Sequence, residues 1–338
     1  MADPVIPWRR PETGAIVVCS DAGWAWQSMF AINSFAPSAA EAHLSCYIYL
    51  IGEIDPRVLA AAAPGVTIVH HTEYPKTLDV DFTTGGHVPK GSMIRFLALN
   101  ELSARYDRVA YLDGDAFLNF GSIAAFMDIP DTGRPVCAVR NRSHWSTDPS
   151  HHYNINYIKR LHPDIGARYL NSGVLVVNCA AYLEAEITQR ALHFYATEPQ
   201  RCKFGDQSAL NHVLVNNWDE LSPGWNWQVS QSSMPLIAGR MPRIVHFTGP
   251  IKPWTDSYRL FDQRYFEPME AFLRCAGLSA LIPEESPANY KLNQERKRTK
   301  KLTSWMGEAF TKRELLKEFL DRKDFFDVEA GVSGYGVD

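Results

Sequence analysis

No apolar run in this 338-residue chain approaches the roughly 20 residues that cross a bilayer, so no membrane-spanning helix is expected. The opening residues Met1–Arg10 lack the apolar stretch of a secretory signal, and export is not expected either. Positive charge is not in excess. Lys and Arg number 34 against 38 Asp and Glu, and the net charge of -4 shows no polybasic face that would read nucleic acid. The six cysteines (Cys19, Cys46, Cys137, Cys179, Cys202, Cys275) form no CxxC or Cys/His spacing, which excludes a structural zinc knot. Four of them lie in or beside apolar, strand-like runs, which reads as buried, reduced thiols in a cytoplasmic protein. There is no GxGxxG after the first apolar run, so a dinucleotide-binding reading lacks its fingerprint. Internal repeats are absent as well.

What is present is the composition of an ordinary soluble enzyme, 46% hydrophobic and 21% charged. Short runs rich in Val and Ile recur at Ala15–Ser20, Cys46–Gly52, Val66–His70, Val109–Asp113, Val136–Arg140, Val174–Asn178 and Ile244–Phe247. Helix-like stretches separate many of them: Trp24–Phe35, Pro56–Ala63, Ser92–Ala104, Ala180–Thr197 and Gln207–Val215. Strands alternating with helices predict an α/β domain with a largely parallel or mixed sheet. Composition shifts near Pro283. Lys291–Lys301 holds six basic residues and one acidic one, and Lys312–Arg322 places Leu315, Leu316, Phe319 and Leu320 at helical spacing. Residues 1–282 therefore read as the catalytic domain and 283–338 as a basic, partly amphipathic helical extension.

The sequence Val109-Ala-Tyr-Leu-Asp113-Gly114-Asp115 carries the most chemistry. An apolar strand ends in two aspartates, and side chains at i and i+2 of a strand share a face. Two hard anionic ligands aimed at one spot suit a divalent cation. The glycine between them leaves room for a ligand against the backbone.

Other clusters each have two readings. In Cys19-Ser-Asp21-Ala-Gly-Trp24, the carboxylate can accept from a base or sugar and the indole can stack on a ring; alternatively Asp21 is an N-cap and Trp24 is core. Tyr169-Leu-Asn171-Ser172-Gly173 is a small, polar turn that suits sugar contact or simply starts a strand. His246 closes an apolar run before Gly249 and Lys252. It is a metal ligand or a satisfied structural histidine, and Gly249 and Lys252 can approach a phosphate by amide and by point charge. Asp206 and Gln207 open a helix-like stretch, where Asp206 is an acid at a site or an N-cap. Arg95, among apolar neighbours, pairs with a carboxylate or contacts a phosphate or sugar hydroxyl.

In order the blocks run SDAGW, GSMIRF, YLDGDAFLNF, YLNSGVLVVN, GDQSALN and HFTGPIKPW. This series, spanning roughly Ala15 to Trp254, resembles glycosyltransferase family 8, which includes glycogenin and bacterial lipopolysaccharide galactosyl- and glucosyltransferases. The resemblance implies a GT-A fold, a single nucleotide-sugar-binding α/β domain with a mixed central sheet flanked by helices. It implies transfer of a hexose, glucose or galactose, from a UDP-sugar to a glycan or glycolipid acceptor with retained anomeric configuration. The implied cofactor is Mn²⁺, with Mg²⁺ as the alternative. Asp113, Asp115 and His246 match the metal ligands. Asp21 and Trp24 match uracil contacts, with Trp24 where the family usually has tyrosine. Gly249 and Lys252 match the diphosphate segment; Arg95, Gly114, Asn171, Ser172, Asp206 and Gln207 match positions around the donor. Family members often have alanine where Ser172 stands.

Glycosyl transfer expels a diphosphate that gains negative charge, which a divalent ion and Lys252 would stabilise. For retention, a front-face route is expected over double displacement, with Gln207 stabilising an oxocarbenium-like centre and Asp206 beside it as the second candidate. Trp225-Asn-Trp227 and His144–Tyr157 are candidates to line an acceptor cleft, against packed or mobile loops. The basic extension either contacts the inner face of an anionic membrane or is a solvated tail. A metal-dependent nucleotidyl- or phosphotransferase would want a glycine-rich phosphate loop that Ser20–Trp24 does not supply. A non-catalytic or hydrolytic UDP-sugar-binding protein on the same fold is the remaining alternative.

Overall fold

The computed structural model describes residues 14–73, 93–141, 150–165, 168–229, 242–249, 252–255, 261 and 263–283. The expected extension lies outside these residues apart from Pro283, as do residues 144–149 of the candidate acceptor segment. In chain order the elements are β1 (Gly14–Asp21), α1 (Ala25–Glu41), β2 (Ser45–Ile51), α2 (Pro56–Ala60), β3 (Val66–His71), α3 (Ile94–Ser103), β4 (Arg108–Leu112), β5 (Ala116–Leu118), α4 (Ala124–Met127), β6 (Val136–Arg140) and α5 (Ser150–Leu161). They continue with β7 (Leu170–Asn178), α6 (Cys179–Glu184), α7 (Ile187–Thr197), α8 (Asp206–Val213), β8 (Asp219–Glu220), β9 (Trp227–Gln228), β10 (Ile244–His246) and α9 (Gln263–Cys275).

The apolar runs become the central strands because both faces of the sheet are covered. Along β1, Ile16 and Val18 enter one core while Ala15, Val17 and Cys19 enter the other. The same alternation places Ala110 and Leu112 of β4 opposite Val109 and Tyr111, and Val174 and Val176 of β7 opposite Leu175 and Val177. One core is closed by α1, α9 and a small sheet, the other by α3, α6, α7 and α8.

The large sheet has the order β3-β2-β1-β4-β7-β6-β8. The first four of these strands are mutually parallel, and β7 runs antiparallel to both β4 and β6. The expected mixed sheet is therefore present. From β1 the chain builds outward to β2 and β3, then returns to lay β4 on β1's other side. Such a reversal opens a crevice at the carboxyl ends of the two strands. A second sheet, β5-β10-β9, stands at that end, with His246 of β10 opposite Ala116 of β5.

Two helical expectations change. The stretch Ala180–Thr197 is two helices, because Glu186 takes a left-handed conformation (φ 49°) between them and Ile187 restarts the chain fully buried. Helix α1 runs past Phe35 and through Pro37 to Glu41. The lost backbone hydrogen bond at proline is outweighed by continued burial of Ala36 and Ala39.

Candidate active site

β4 stops at Leu112, so Asp113 and Asp115 do not share a strand face as the apolar run predicted. They belong to a tight turn, closed by Ala116 N donating to Asp113 O (3.0 Å), that carries the chain from the large sheet to the small one. The turn, not strand alternation, makes the carboxylates converge. It is pinned on both sides: Asp113 N donates to Gly173 O at 2.7 Å and Phe247 N to Asp115 O at 3.0 Å. The space beside Gly114 also differs from the expectation of ligand room. A Cβ there would lie 2.0 Å from Ser28 Oγ, so α1 fills it.

Pairing with β5 sets His246 beside the turn. Its Nε2 lies 3.0 Å from Asp115 Oδ1 and 3.7 Å from Asp113 Oδ2. One donor atom from each of the three residues falls within 4.8 Å of the others. Bonds of about 2.1 Å in an octahedral shell space adjacent ligands about 3 Å apart, so two carboxylates and one imidazole at these separations fit a divalent cation. Nitrogen in the set suits Mn²⁺ better than an all-oxygen Mg²⁺ site. Gly173 forms the floor of the cluster: a Cβ there would come 2.2 Å from His246 Cε1 and 2.5 Å from Asp113 Oδ2. Burial raises the Asp115 carboxyl, but Lys252 and His246 outweigh it and hold that group well below the usual carboxylate range.

Arg95 is buried behind the turn and ties it to the rest of the site. It donates to Asp113 Oδ1 (2.8 Å) and to Ser172 O (2.9 Å), and pairs with Asp206 Oδ2 (2.9 Å). Its guanidinium stacks over Tyr111 at 4.4 Å, and the Tyr111 hydroxyl also donates to Asp113 Oδ1 (2.8 Å). Burial disfavours the Arg95 charge, yet Asp206, Tyr111 and Asp113 more than compensate, so its pKa is raised and it stays charged. The structural ion pair read from sequence is thus present, with two carboxylates.

Lys252 Nζ sits 2.5 Å from Asp115 Oδ2, also donates to Phe247 O, and lies 5.6 Å from the centre of the Trp24 ring. Trp24 is 39% exposed and meets Trp254 edge-on, so it is not a core residue. Asp21 does act as an N-cap, accepting from Gly23 N at 3.0 Å, at the carboxyl end of β1. The Gly249 amide donates to Val229 O at 3.4 Å.

Asn171, Ser172 and Gln207 meet. Gln207 Oε1 accepts from Asn171 Nδ2 and from Ser172 N, both at 3.2 Å, and Ser172 Oγ donates to Asp206 Oδ2 at 3.4 Å. Trp225 and Trp227 do not line a cleft: they are 2% and 0% exposed, and Trp225 packs on Phe126 at 4.9 Å. Asn226 between them, not among the residues expected at the site, does reach it. Its Oδ1 lies 3.0 Å from His246 Nδ1 and its Nδ2 donates to Asn171 Oδ1 at 2.7 Å. A lone polar residue between two tryptophans was the available signal.

The architecture has known counterparts. The galactosyltransferase LgtC, solved with donor and acceptor sugar analogues, superimposes with a TM-score of 0.58 at 20% identity, over 78% of this chain and 95% of that one. The bifunctional glycosyltransferase WbbM gives 0.56 at 20% identity, over 79% of this chain and 50% of WbbM. The fold is GT-A, with the acidic turn at the reversal point of its sheet. Residues 89–257 match the family described as Glycosyl transferase family 8, and this chain belongs to that family. General stress protein A of Bacillus subtilis is 26% identical over 201 residues, 53% of this chain and 66% of that protein. Lipopolysaccharide 1,3-galactosyltransferase of Salmonella typhimurium is 27% identical over 169 residues, 47% of this chain and 48% of that protein. The chain thus spans only about half to two thirds of the length of these curated relatives.

Proposed function

We propose that this chain is a retaining hexosyltransferase that moves glucose or galactose from a UDP-sugar to a glycan or glycolipid acceptor, with Mn²⁺ as the preferred cofactor. One observation carries the reading: Asp113, Asp115 and His246 converge within 4.8 Å, beside Lys252 and the exposed ring of Trp24. When bound, the cation supplies a Lewis acid for charge developing on the departing diphosphate. Lys252 adds a fixed positive charge next to the same oxygens. Trp24 offers an exposed face for the uracil ring, and Asp21 stands at the end of the neighbouring strand. The 1,3-galactosyltransferase of Salmonella typhimurium supports galactose as donor sugar, and a 1,2-glucosyltransferase of Escherichia coli, 24% identical over 170 residues, supports glucose equally.

The two residues proposed on the sugar's far face are tied down. Asp206 is paired with Arg95, and both lone-pair directions of Gln207 Oε1 accept N–H groups. Neither stands as a free nucleophile, which supports front-face transfer, with Gln207 shaping the donor-sugar pocket. Residues 1–282 are proposed as the catalytic unit and 283–338 as a basic extension, either a contact with the inner face of the membrane or a solvated tail. Action in the cytoplasm or at that face is part of the same proposal; among the described residues no helix is long and apolar enough to cross a bilayer.

A panel of UDP-sugars incubated with and without Mn²⁺ tests the reading. Slow Mn²⁺-dependent release of UDP from UDP-glucose or UDP-galactose, with an α-configured product on acceptor addition, is the expected result. Absence of UDP release from every donor, or equal release in EDTA, would sink it. Near-normal turnover in both Gln207→Ala and Asp206→Asn would remove their assigned roles. Binding of the full chain, but not of a chain ending at Pro283, to anionic vesicles tests the extension.

A further inference from the structure

His246 is joined to Gln207 by a chain of buried amides. His246 Nδ1 faces Asn226 Oδ1 (3.0 Å), Asn226 Nδ2 faces Asn171 Oδ1 (2.7 Å), Asn171 Nδ2 faces Gln207 Oε1 (3.2 Å), and Gln207 Nε2 faces the Tyr169 hydroxyl (3.3 Å). Asn226, Asn171 and His246 are 1%, 6% and 3% exposed, so water does not complete their hydrogen bonding from bulk. The oxygen and nitrogen ends of an amide are exchangeable in placement unless something fixes them. Here two backbone groups do. Ser172 N donates to Gln207 Oε1 and Gly173 N to Asn171 Oδ1, each at 3.2 Å, and a backbone N–H can only donate.

Those two amides are available because β7 bulges away from β6. Pairing passes from Ala138↔Leu175 to Arg140↔Leu170, so β7 advances five residues while β6 advances two. Bulges of this kind re-aim groups beside functional sites.

The polarity of the whole chain follows. Turning Asn226 over would set its oxygen against Asn171 Oδ1. Turning Asn171 over as well would face its NH₂ to the Gly173 N–H and its oxygen to Gln207 Oε1. Turning all three would leave both backbone N–H groups against NH₂ groups. Each buried mismatch would leave a donor or acceptor unsatisfied away from water, so one polarity survives. In it Asn226 presents an acceptor to His246, Nδ1 carries the proton, and the lone pair of Nε2 points toward Asp113 and Asp115.

We infer that Asn226 is a positioning residue that selects the metal-ligating tautomer of His246, and that the Ser172 and Gly173 amides set this choice from the bulge of β7. The inference rests on the proposed role of His246 as a metal ligand. The same chain couples the imidazole to the amide plane of Gln207, so the cation site and the donor-sugar wall are oriented by one set of hydrogen bonds. Outer partners of ligating histidines act in this way, and their loss weakens metal binding about 10–100-fold.

Four proteins separate the possibilities: the full chain, Asn226→Leu, Asn226→Asp and, as the reference without the ring, His246→Gln. Leucine offers His246 no acceptor. Aspartate keeps the acceptor for Nδ1–H but has no donor for Asn171 Oδ1. Free Mn²⁺ is measured by electron paramagnetic resonance, and the exchangeable ring N–H of a Co²⁺-bound histidine by proton NMR, assigned through its loss in His246→Gln. The expected pattern is Mn²⁺ affinity about 10–100-fold weaker in Asn226→Leu, with the ring N–H signal lost. In Asn226→Asp, affinity stays near that of the full chain while UDP-sugar turnover falls about tenfold, the scale on which orienting partners act. Unchanged affinity and an unchanged N–H signal in Asn226→Leu would overturn the inference while leaving the transferase reading intact. A full chain that binds no Mn²⁺ would overturn the metal reading beneath it. Should Asn226→Leu fail to fold, Asn226→Asp decides alone: an affinity as poor as that of His246→Gln refutes the assignment.

Discussion

Gly173 is a residue whose missing atom matters more than any it has. Its φ is not in the left-handed region, so alanine would meet no backbone strain, and in a buried strand a methyl group would ordinarily be tolerated. The added carbon would instead lie 2.2 Å from the His246 ring and 2.5 Å from an Asp113 oxygen. Gly173→Ala is expected to weaken Mn²⁺ binding about 10–100-fold and, because the buried ring and carboxylate must give way, to lower the thermal unfolding midpoint as well. Mn²⁺ titration followed by resonance checks it, and wild-type affinity would show that the ligands can give way. Lys252 makes a different claim. Its Nζ occupies Asp115 Oδ2, an oxygen of the cation cluster. Lys252→Ala should therefore bind Mn²⁺ alone severalfold more tightly and UDP severalfold more weakly, a crossing of effects that calorimetry with each ligand in turn can detect. Weaker Mn²⁺ binding in that variant would mean that Lys252 supports the cluster instead of competing for it. The ligands themselves were legible because a polar residue at the end of an apolar run stands out. Asn226 was only half legible, since a lone polar residue between two tryptophans stands out but does not say which way its side chain turns.

Among elements, α3 does the joining. Through Arg95 it reaches the turn after β4, the Ser172 carbonyl of β7 and the first residue of α8. Arg95→Met would leave Asp206 and Asp113 facing one another without their cation. Breaking a buried pair on one side costs about 3–5 kcal/mol, and urea unfolding should register a loss of that order. A loss below about 1 kcal/mol would place the pair among those worth little. The long strands were readable because β1, β4 and the second half of β7, from Val174, carry apolar runs buried on both faces. The small sheet was not readable as a sheet. β5 and β10 have three residues each and β9 only two, too few for a period to show. The break at Glu186 was hidden for another reason: Ala180–Thr197 has unbroken helical composition, and only the need to bury Ile187 turns the chain there.

At the scale of the whole molecule, the thiols supply the simplest check. Five of the six cysteines are buried and Cys275 is exposed. Burial pushes Cys46 up to about 11 and Cys137, Cys179 and Cys202 up to about 12. Those thiols are both hidden and protonated at neutral pH, so the native protein should react quickly with one equivalent of an aromatic disulfide reagent, and the remaining thiols only after denaturant is added. Two or more fast thiols would mean that the core opens locally. The α/β class and the order of the site blocks were legible because they are properties of the chain as a line. The meeting of those blocks was not, because it depends on a strand reversal between β1 and β4 and on a turn that links two sheets. That turn has a consequence for how the protein is made. Domains gain structure as the chain emerges during synthesis, and here the carboxylates of Asp113 and Asp115 leave the ribosome long before the imidazole of His246. The small sheet cannot pair β5 with β10 until that late segment arrives. A nascent chain arrested before Ile244 would thus carry most of the large sheet and an acidic turn still lacking the imidazole proposed to join it, which makes the emergence of β10 the step that completes the site.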